Sequence, residues 1–270
     1  MTRRPKGTAG ARPPALRRAA SQRGRPTNFS RNDGDEMTVL YGWHPVVEAL
    51  RNPNREVRRL LATENSARRL AEEFGQLEVK PEIVRPDDIN RLVEPDAVHQ
   101  GLYLEAEPLP SPTVETLSGD RVVLALDQIT DPHNVGAIVR SAAAFGVEAI
   151  VTTARHSPAA TGVLAKAASG GLEHVPFMIV RNLADTLIGL GDRGFLRVGL
   201  DSLGTAALDR LPLRRPVLLV LGSEGKGLRQ RTRECCDFIG RLDMPGEIKS
   251  LNVSNAAAIA LYAVSRALSD

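Results

Sequence analysis

Only two cysteines occur in the 270 residues, and they are neighbours, Cys235 and Cys236. Adjacent cysteines seldom bridge to one another, and no CxxC or Cys/His cluster accompanies them, so neither a disulfide scaffold nor a structural zinc site is expected. Both should be reduced, buried or half-buried thiols. The five histidines (His44, His99, His133, His156, His174) are scattered without ligand spacing, so no metal is expected either. No apolar run approaches the ~20 residues that span a bilayer. The N-terminus is Arg-rich but lacks an apolar stretch before a cleavage site, so it does not read as a secretory signal. A cytoplasmic protein with no membrane partner is the simplest expectation. The Gly-rich loop at 222–227 is neither a Walker A loop, since GK[ST] is missing, nor a dinucleotide fingerprint, since its spacing is GxxGxG rather than GxGxxG.

What is present is an ordinary globular composition, 42% hydrophobic and 25% charged, long enough for two domains. The net charge of +3 hides an asymmetry. Residues 1–36 hold nine Lys/Arg and three acids, a surplus of six, which leaves 26 basic and 29 acidic residues beyond them. That leader is rich in Arg, Pro, Gly, Ala and Ser without periodicity. It cannot bury enough apolar surface to offset its ordering entropy, so it reads as a disordered basic tail suited to polyanions.

Order is expected from Met37. Residues 37–106 read as a small α/β module: a helix from Val46 to Leu50, strands at Val57–Ala62 and Val79–Val84, helices at Ser66–Phe74 and Pro86–Val93, and a last strand at Gly101–Glu105. Residues 107–120 are Pro-rich and patternless, as in an interdomain linker. From 121 to 270 strand and helix alternate. Val122–Leu126, Ala149–Thr153, Val175–Val180, Leu196–Leu200 and Val217–Leu221 are short apolar runs, as buried parallel strands require. Helices are expected at Val135–Phe145, Ala159–Ser169, Leu183–Leu190 and Asn252–Leu268. The fold class is therefore α/β, with an open, mainly parallel sheet covered on both faces.

Three polar clusters interrupt that pattern, each following an expected strand or entering a helix. In open α/β sheets such positions face the ligand crevice. The first is DQITDPHNVGAIVRS (127–141), in which Asn134 is placed to cap a helix and Arg140 breaks its small apolar face. The second is LVLGSEGKGL (219–228), whose glycines let backbone approach a ligand closely. The third is LDMPGEIKSLNVSNA (242–256), with Ser250 and Asn252 as capping groups. Asp243 lies 21 residues beyond Gly222, like a ribose-binding acid, but no second nucleotide-binding half follows.

DPHNVGAIVRSAAAFG, LVLGSEGKGL and MPGEIKSLNVSNAAAIALY resemble, in order and form, the three motifs of the SpoU/TrmH family of RNA ribose 2′-O-methyltransferases. YGWHPVVEAL (41–50) and DAVHQG (96–101) resemble the L30e-like RNA-binding domain of the subgroup that modifies a guanosine ribose in large-subunit rRNA. The resemblance implies a deep trefoil knot in the C-terminal domain, S-adenosylmethionine as cofactor, RNA as partner, with rRNA favoured over tRNA, and a homodimer. Carried over motif by motif, it places cofactor-binding positions at Gly222, Ser223, Leu242, Met244 and Leu251. Catalytic positions fall on Asn134, Arg140, Glu224, Ser250 and Asn252. Many relatives have Ile-Pro-Met where this chain has Leu242-Asp243-Met244. Three rivals compete with the rRNA reading: a tRNA ribose methyltransferase, a non-catalytic RNA-binding protein of the same fold, and a nucleotide-dependent oxidoreductase using the Gly-rich turn.

Overall fold

The structure, a computed structural model, describes residues 1–2, 37–154, 162–248 and 250–269. The expected disordered leader, apart from its first two residues, lies outside the described residues. Two sheets follow from the sequence. The first is built from β1 (Thr38–Tyr41), β2 (Val57–Ala62), β3 (Glu82–Ile83) and β4 (Leu102–Ala106), in the order β1-β4-β2-β3. β4 runs antiparallel to both β1 and β2. Helices α1 (Trp43–Arg51), α2 (Glu64–Phe74) and α3 (Pro86–Asn90) connect these strands. Leu40, Trp43, Val46, Leu60, Leu70, Leu102 and Leu104 form the module's core.

The second sheet has seven strands, every pairing parallel. They are β5 (Val123–Asp127), β6 (Ala149–Thr153), β7 (Phe177–Val180), β8 (Leu196–Leu200), β9 (Ala206–Ala207), β10 (Val217–Gly222) and β11 (Phe238–Arg241), ordered β7-β6-β5-β10-β8-β11-β9. The chain steps outward from β5 to β7, returns to lay down β8 and β9, and then inserts β10 between β5 and β8. Helices α4 (Pro132–Ala144), α5 (Gly162–Ala168) and α8 (Val253–Ala267) cover one face; α6 (Leu183–Asp192) and α7 (Gln230–Glu234) lie on the other. Strand residues alternate between the two cores. Leu124, Leu126, Leu219 and Leu221 enter one; Val123, Ala125, Leu218 and Val220 enter the other. Both faces are buried, which is why these strands read as unbroken apolar runs.

Short elements differ from the sequence expectation. The run at 79–84 yields only the two residues of β3, and the first helix begins at Trp43 rather than Val46. Strands β1, β9 and β11 and helix α7 were not expected; they have four, two, four and five residues, too few to impose a period. Segment 107–120 is not a free linker. Ser111 donates to the Phe177 carbonyl (2.7 Å), Arg193 donates to the Leu117 carbonyl (3.0 Å), and Gly119 N–H donates to Glu148 (3.1 Å). Leu117 is buried with the α6 residues. Cys235 and Cys236 are unbridged. Burial, and then its neighbour Cys235, push the Cys236 thiol up to about 12, so it stays protonated and unreactive near neutrality. No described helix is long and apolar enough to cross a membrane.

Helices α4 and α5 lie nearly flush, because Gly136 has no side chain. A Cβ there would meet the Ala167 side chain, the Leu164 carbonyl oxygen at 2.7 Å and the Ala168 nitrogen at 3.0 Å. Backbone on both sides leaves no flexible atom to move aside. Gly136→Ala should therefore destabilise the fold by about 1–3 kcal/mol despite its better helix propensity. Urea unfolding checks this, with a stability gain as the contrary result.

Candidate functional site

The C-terminal ends of all seven parallel strands share one edge, and the first two polar clusters gather there. β5 ends in Asp127, whose side chain is fully buried. Its carboxylate accepts from Arg229 Nε (2.7 Å) and from the Arg229 backbone N–H (3.0 Å). This pair ties the turn after β10 to the end of β5, the adjacent strand. The turn itself needs glycine. Gly225 and Gly227 have φ of 76° and 64°, in the left-handed region. A Cβ on Gly222 would strike the Gly227 backbone. Ser223 and Gly227 pair across the turn.

Glu224, near the apex of the turn, reaches two helices. Its Oε1 accepts from Asn134 Nδ2 on α4 (3.2 Å), from Asn252 Nδ2 (2.8 Å) and from the Val253 backbone N–H (3.2 Å). Asn252 Nδ2 also donates to Asn134 Oδ1 (2.9 Å), closing a triangle. Asn252 is the N-cap of α8, its Oδ1 accepting from Ser254 N–H (2.9 Å). The Glu224 carboxylate thus sits at the positive end of a 15-residue helix, where negative charge is favoured. On α4 the cap is Asp131, accepting from His133 N–H, with Pro132 at the first helical position. The expectation that Asn134 caps that helix is therefore corrected. Asn134 is the third residue of the helix, in its first turn, and its side chain joins the triangle instead.

Arg140 lies about 9 Å further along α4. It is exposed, and among the described residues no acceptor holds its guanidinium. Gly222 and Ser223 belong to the Glu224 turn. Leu242 and Met244 are half-buried just beyond β11, with Leu242 packed against the core. Asp243 is turned toward Arg241 (2.8 Å). Ser250 is exposed and does not cap α8. Leu251, 40% exposed, and Ile248, 78% exposed, are large apolar side chains on the approach to α8. The structure thus joins Asn134, Glu224 and Asn252 by hydrogen bonds, while Arg140, Ser250 and Leu251 make no bond to that triangle.

Sequence reasoning missed Asp127 and Arg229. The signal was available: an acid directly ending a wholly apolar strand must find a partner or remain a buried charge. It also missed Asp201, a side chain 5% exposed just beyond β8 and paired with Arg233. Among the described residues no cluster of His, Cys, Asp or Glu could hold a metal.

An open parallel α/β sheet with its polar groups collected at the carboxyl edge defines a ligand-binding domain of the doubly wound type. Comparison with known proteins narrows this class. Residues 121–262 match the SpoU rRNA Methylase family and residues 39–112 match the RNA 2′-O ribose methyltransferase substrate-binding family. The chain belongs to the SpoU rRNA methylase family. It is 37% identical over 236 residues to the 23S rRNA (guanosine-2′-O-)-methyltransferase RlmB of Pseudomonas aeruginosa, covering 84% of this chain and 95% of that protein. The RlmB of Ralstonia nicotianae is 34% identical over 232 residues, 83% of this chain and 93% of that protein. The SpoU methyltransferase AviRb of Streptomyces viridochromogenes, solved with AdoMet, has the same fold: TM-score 0.73 and 24% identity over 85% of this chain and 89% of that one.

Glu224→Ala should free Asn134, Asn252 and the first turn of α8 together. The expected result is a stability loss of about 1–3 kcal/mol, since three donors lose one shared acceptor. Crystallography or amide exchange of the 222–227 turn and the α8 N-terminus should show both loosened; unchanged protection at α8 would contradict the geometry.

Proposed function

We propose that this chain transfers a methyl group from S-adenosylmethionine to the ribose 2′-hydroxyl of a guanosine in large-subunit rRNA. The observation that carries the reading is the Asn134–Glu224–Asn252 triangle: three sequence segments, each matching a family motif, bonded into one site at the edge where α/β sheets take ligands. Near-full-length similarity to two proteins named for this reaction supports the substrate class.

The residues present fit an adenosine-bearing cofactor. The tight turn bearing half-buried Gly222 and Ser223 is followed along the chain by half-buried Leu242 and Met244 and exposed Leu251, a mix of apolar surface and backbone polar groups suited to a purine and its ribose. When bound there, the sulfonium supplies an electrophilic methyl group. The protein must then place the 2′-oxygen and manage its proton. Holding the two reactants together removes much of the barrier by itself. Arg140, an unengaged cation, stabilises the oxygen as it gains negative charge, or grips the adjacent phosphate bidentately. A guanidinium holds its proton tightly and is a poor proton acceptor, so an electrostatic role is the economical one. Asn134 and Asn252, locked by Glu224, give the ribose fixed amide groups, and Ser250 contributes a hydroxyl on the same approach.

Residues 37–106 serve as an L30e-like RNA-binding domain, 107–120 as the connection, and 121–270 as the methyltransferase domain with a deep trefoil knot. The basic leader adds affinity for RNA phosphates. A homodimer is proposed, with exposed Ile259 and Tyr262 of α8 at its interface. RNA, rather than DNA, is the substrate because only RNA offers the 2′-hydroxyl.

The test is methyl transfer from labelled S-adenosylmethionine to rRNA and tRNA from cells lacking this gene, followed by nucleoside analysis. Label in 2′-O-methylguanosine of large-subunit rRNA is expected; label in tRNA alone would overturn the substrate, and none in any RNA would overturn the activity. Arg140→Ala should lower turnover by at least about a hundredfold, the scale of a lost oxyanion contact, and leave cofactor binding by calorimetry unchanged. Wild-type turnover in that variant would remove Arg140 from the chemistry.

A further inference from the structure

The most deeply buried ion pair among the described residues lies outside the methyl-transfer site. Arg55 and Glu173 have side chains only 3% and 2% exposed. Arg55 follows α1 in the front module. Its Nη2 and Nε donate to Glu173 Oε1 (2.7 Å) and Oε2 (3.1 Å), a fork on both carboxylate oxygens. Its Nη1 donates to the Glu107 carbonyl where β4 gives way to the connection (2.8 Å). Asn52 at the end of α1 donates to Glu173 Oε2 as well (2.8 Å). One carboxylate therefore gathers the α1–β2 corner, while the same arginine holds the start of the 107–120 segment.

Glu173 belongs to the other sheet's domain, in a 3₁₀ turn, Gly171–Glu173, that follows α5. This turn rests on α4. A Cβ on Gly171 would lie 3.1 Å from the Val139 carbonyl oxygen and 3.2 Å from Val139 Cγ1. The next residue after Val139 is Arg140. A continuous path of packed and bonded groups thus runs from the front module through Arg55, Glu173 and Gly171 to the turn of α4 that bears Arg140. Two solvent-facing contacts flank it, His174 with Glu48 (2.9 Å) and Lys166 with Gln100 (3.0 Å), and such exposed contacts contribute little by themselves.

A buried ion pair adds little net stability over well-packed apolar side chains, because desolvation offsets the attraction. A bidentate fork does add direction, because it fixes orientation as well as distance. We infer that Arg55 and Glu173 are positioning residues for methyl transfer: they dock the front module in one register on the helix carrying Arg140, and so set which nucleotide of a bound RNA reaches it. The inference rests on the reading that the front module holds the RNA substrate.

Arg55→Met alone strands a buried carboxylate and tests stability more than register. The informative variant is Arg55→Met with Glu173→Leu, which removes both charges in the full-length chain. Three readouts are compared with wild type: KM for rRNA against kcat, the binding constant for S-adenosylmethionine, and protease cleavage within 107–113. The expected result is a KM for rRNA raised about tenfold, as a loosened module loses effective concentration. Turnover and cofactor binding should stay within about twofold, with faster cleavage and some methylation of neighbouring nucleotides. Arg55→Lys, which keeps the charge without the fork, should fall between the two. A merely structural pair would lower the thermal midpoint and leave KM, cleavage and the modified position unchanged; that pattern overturns the inference. A wild-type protein that methylates no RNA defeats the functional reading itself, whereas an active wild type with an unaltered double variant defeats the positioning role alone.

Discussion

One carboxylate oxygen organises the edge of this protein. Glu224 Oε1 takes three donors, from a side chain on α4, the cap of α8 and the first free backbone N–H of α8. Asn134 and Asn252 are 118 residues apart in sequence, and they touch because Glu224 stands between them. The turn that carries Glu224 is in turn held by the buried Asp127 carboxylate through Arg229. Two acids, one exposed and one buried, therefore fix where α4, α8 and the ends of β5 and β10 meet. An acceptor ringed by donors is stable at this spot because the α8 dipole favours its charge.

The parallel sheet makes that meeting possible. Every strand delivers its C-terminal residue to the same edge, so glycines and polar groups following β5, β10 and β11 converge without long loops. β10 enters late and at the centre, between β5 and β8, fully buried on both faces from Val217 to Leu221. Its neighbours must already lie one strand-width apart on each side, so the turn after it is placed by strands laid down much earlier in the chain. The turn that follows brings Gly222 against the Gly227 backbone, and glycine is the residue that tolerates it.

Much of this was legible in the sequence. The central strands announce themselves as apolar runs because two helical layers dehydrate both faces, and every residue from Val217 to Leu221 is apolar. The polar clusters were read correctly as edge groups, and their resemblance to known motifs led to the family. Three kinds of information were not local. Phe238–Arg241 alternates weakly and ends in a charge, so β11 is a strand only because β8 and β9 flank it. The Pro-rich segment at 107–120 lacks any pattern of its own, and its anchors are Phe177, Glu148 and Arg193, distant in sequence. At α4, Asp131-Pro132 carried a stronger start signal than Asn134, and reading it would have released Asn134 for the site. The triangle itself is a tertiary fact: sequence supplied its members but not their bonds.

Helix α5 has two allegiances. Leu164 and Ala168 fill the core beneath α4, whereas Ala165 is counted among the core residues of the front module, and Tyr41 of β1 lies over Gly162. The seam between the two modules is thus a shared wall rather than a boundary that coincides with the change of sheet. A fragment ending near residue 106 would leave an apolar hole where Ala165 sits, and a fragment starting near 121 would turn the outer side of α5 to water. Exchange of such front modules among related chains in evolution would therefore have to carry a matching α5 surface with it, so that the helix, more than the connecting segment, records which modules have been partners.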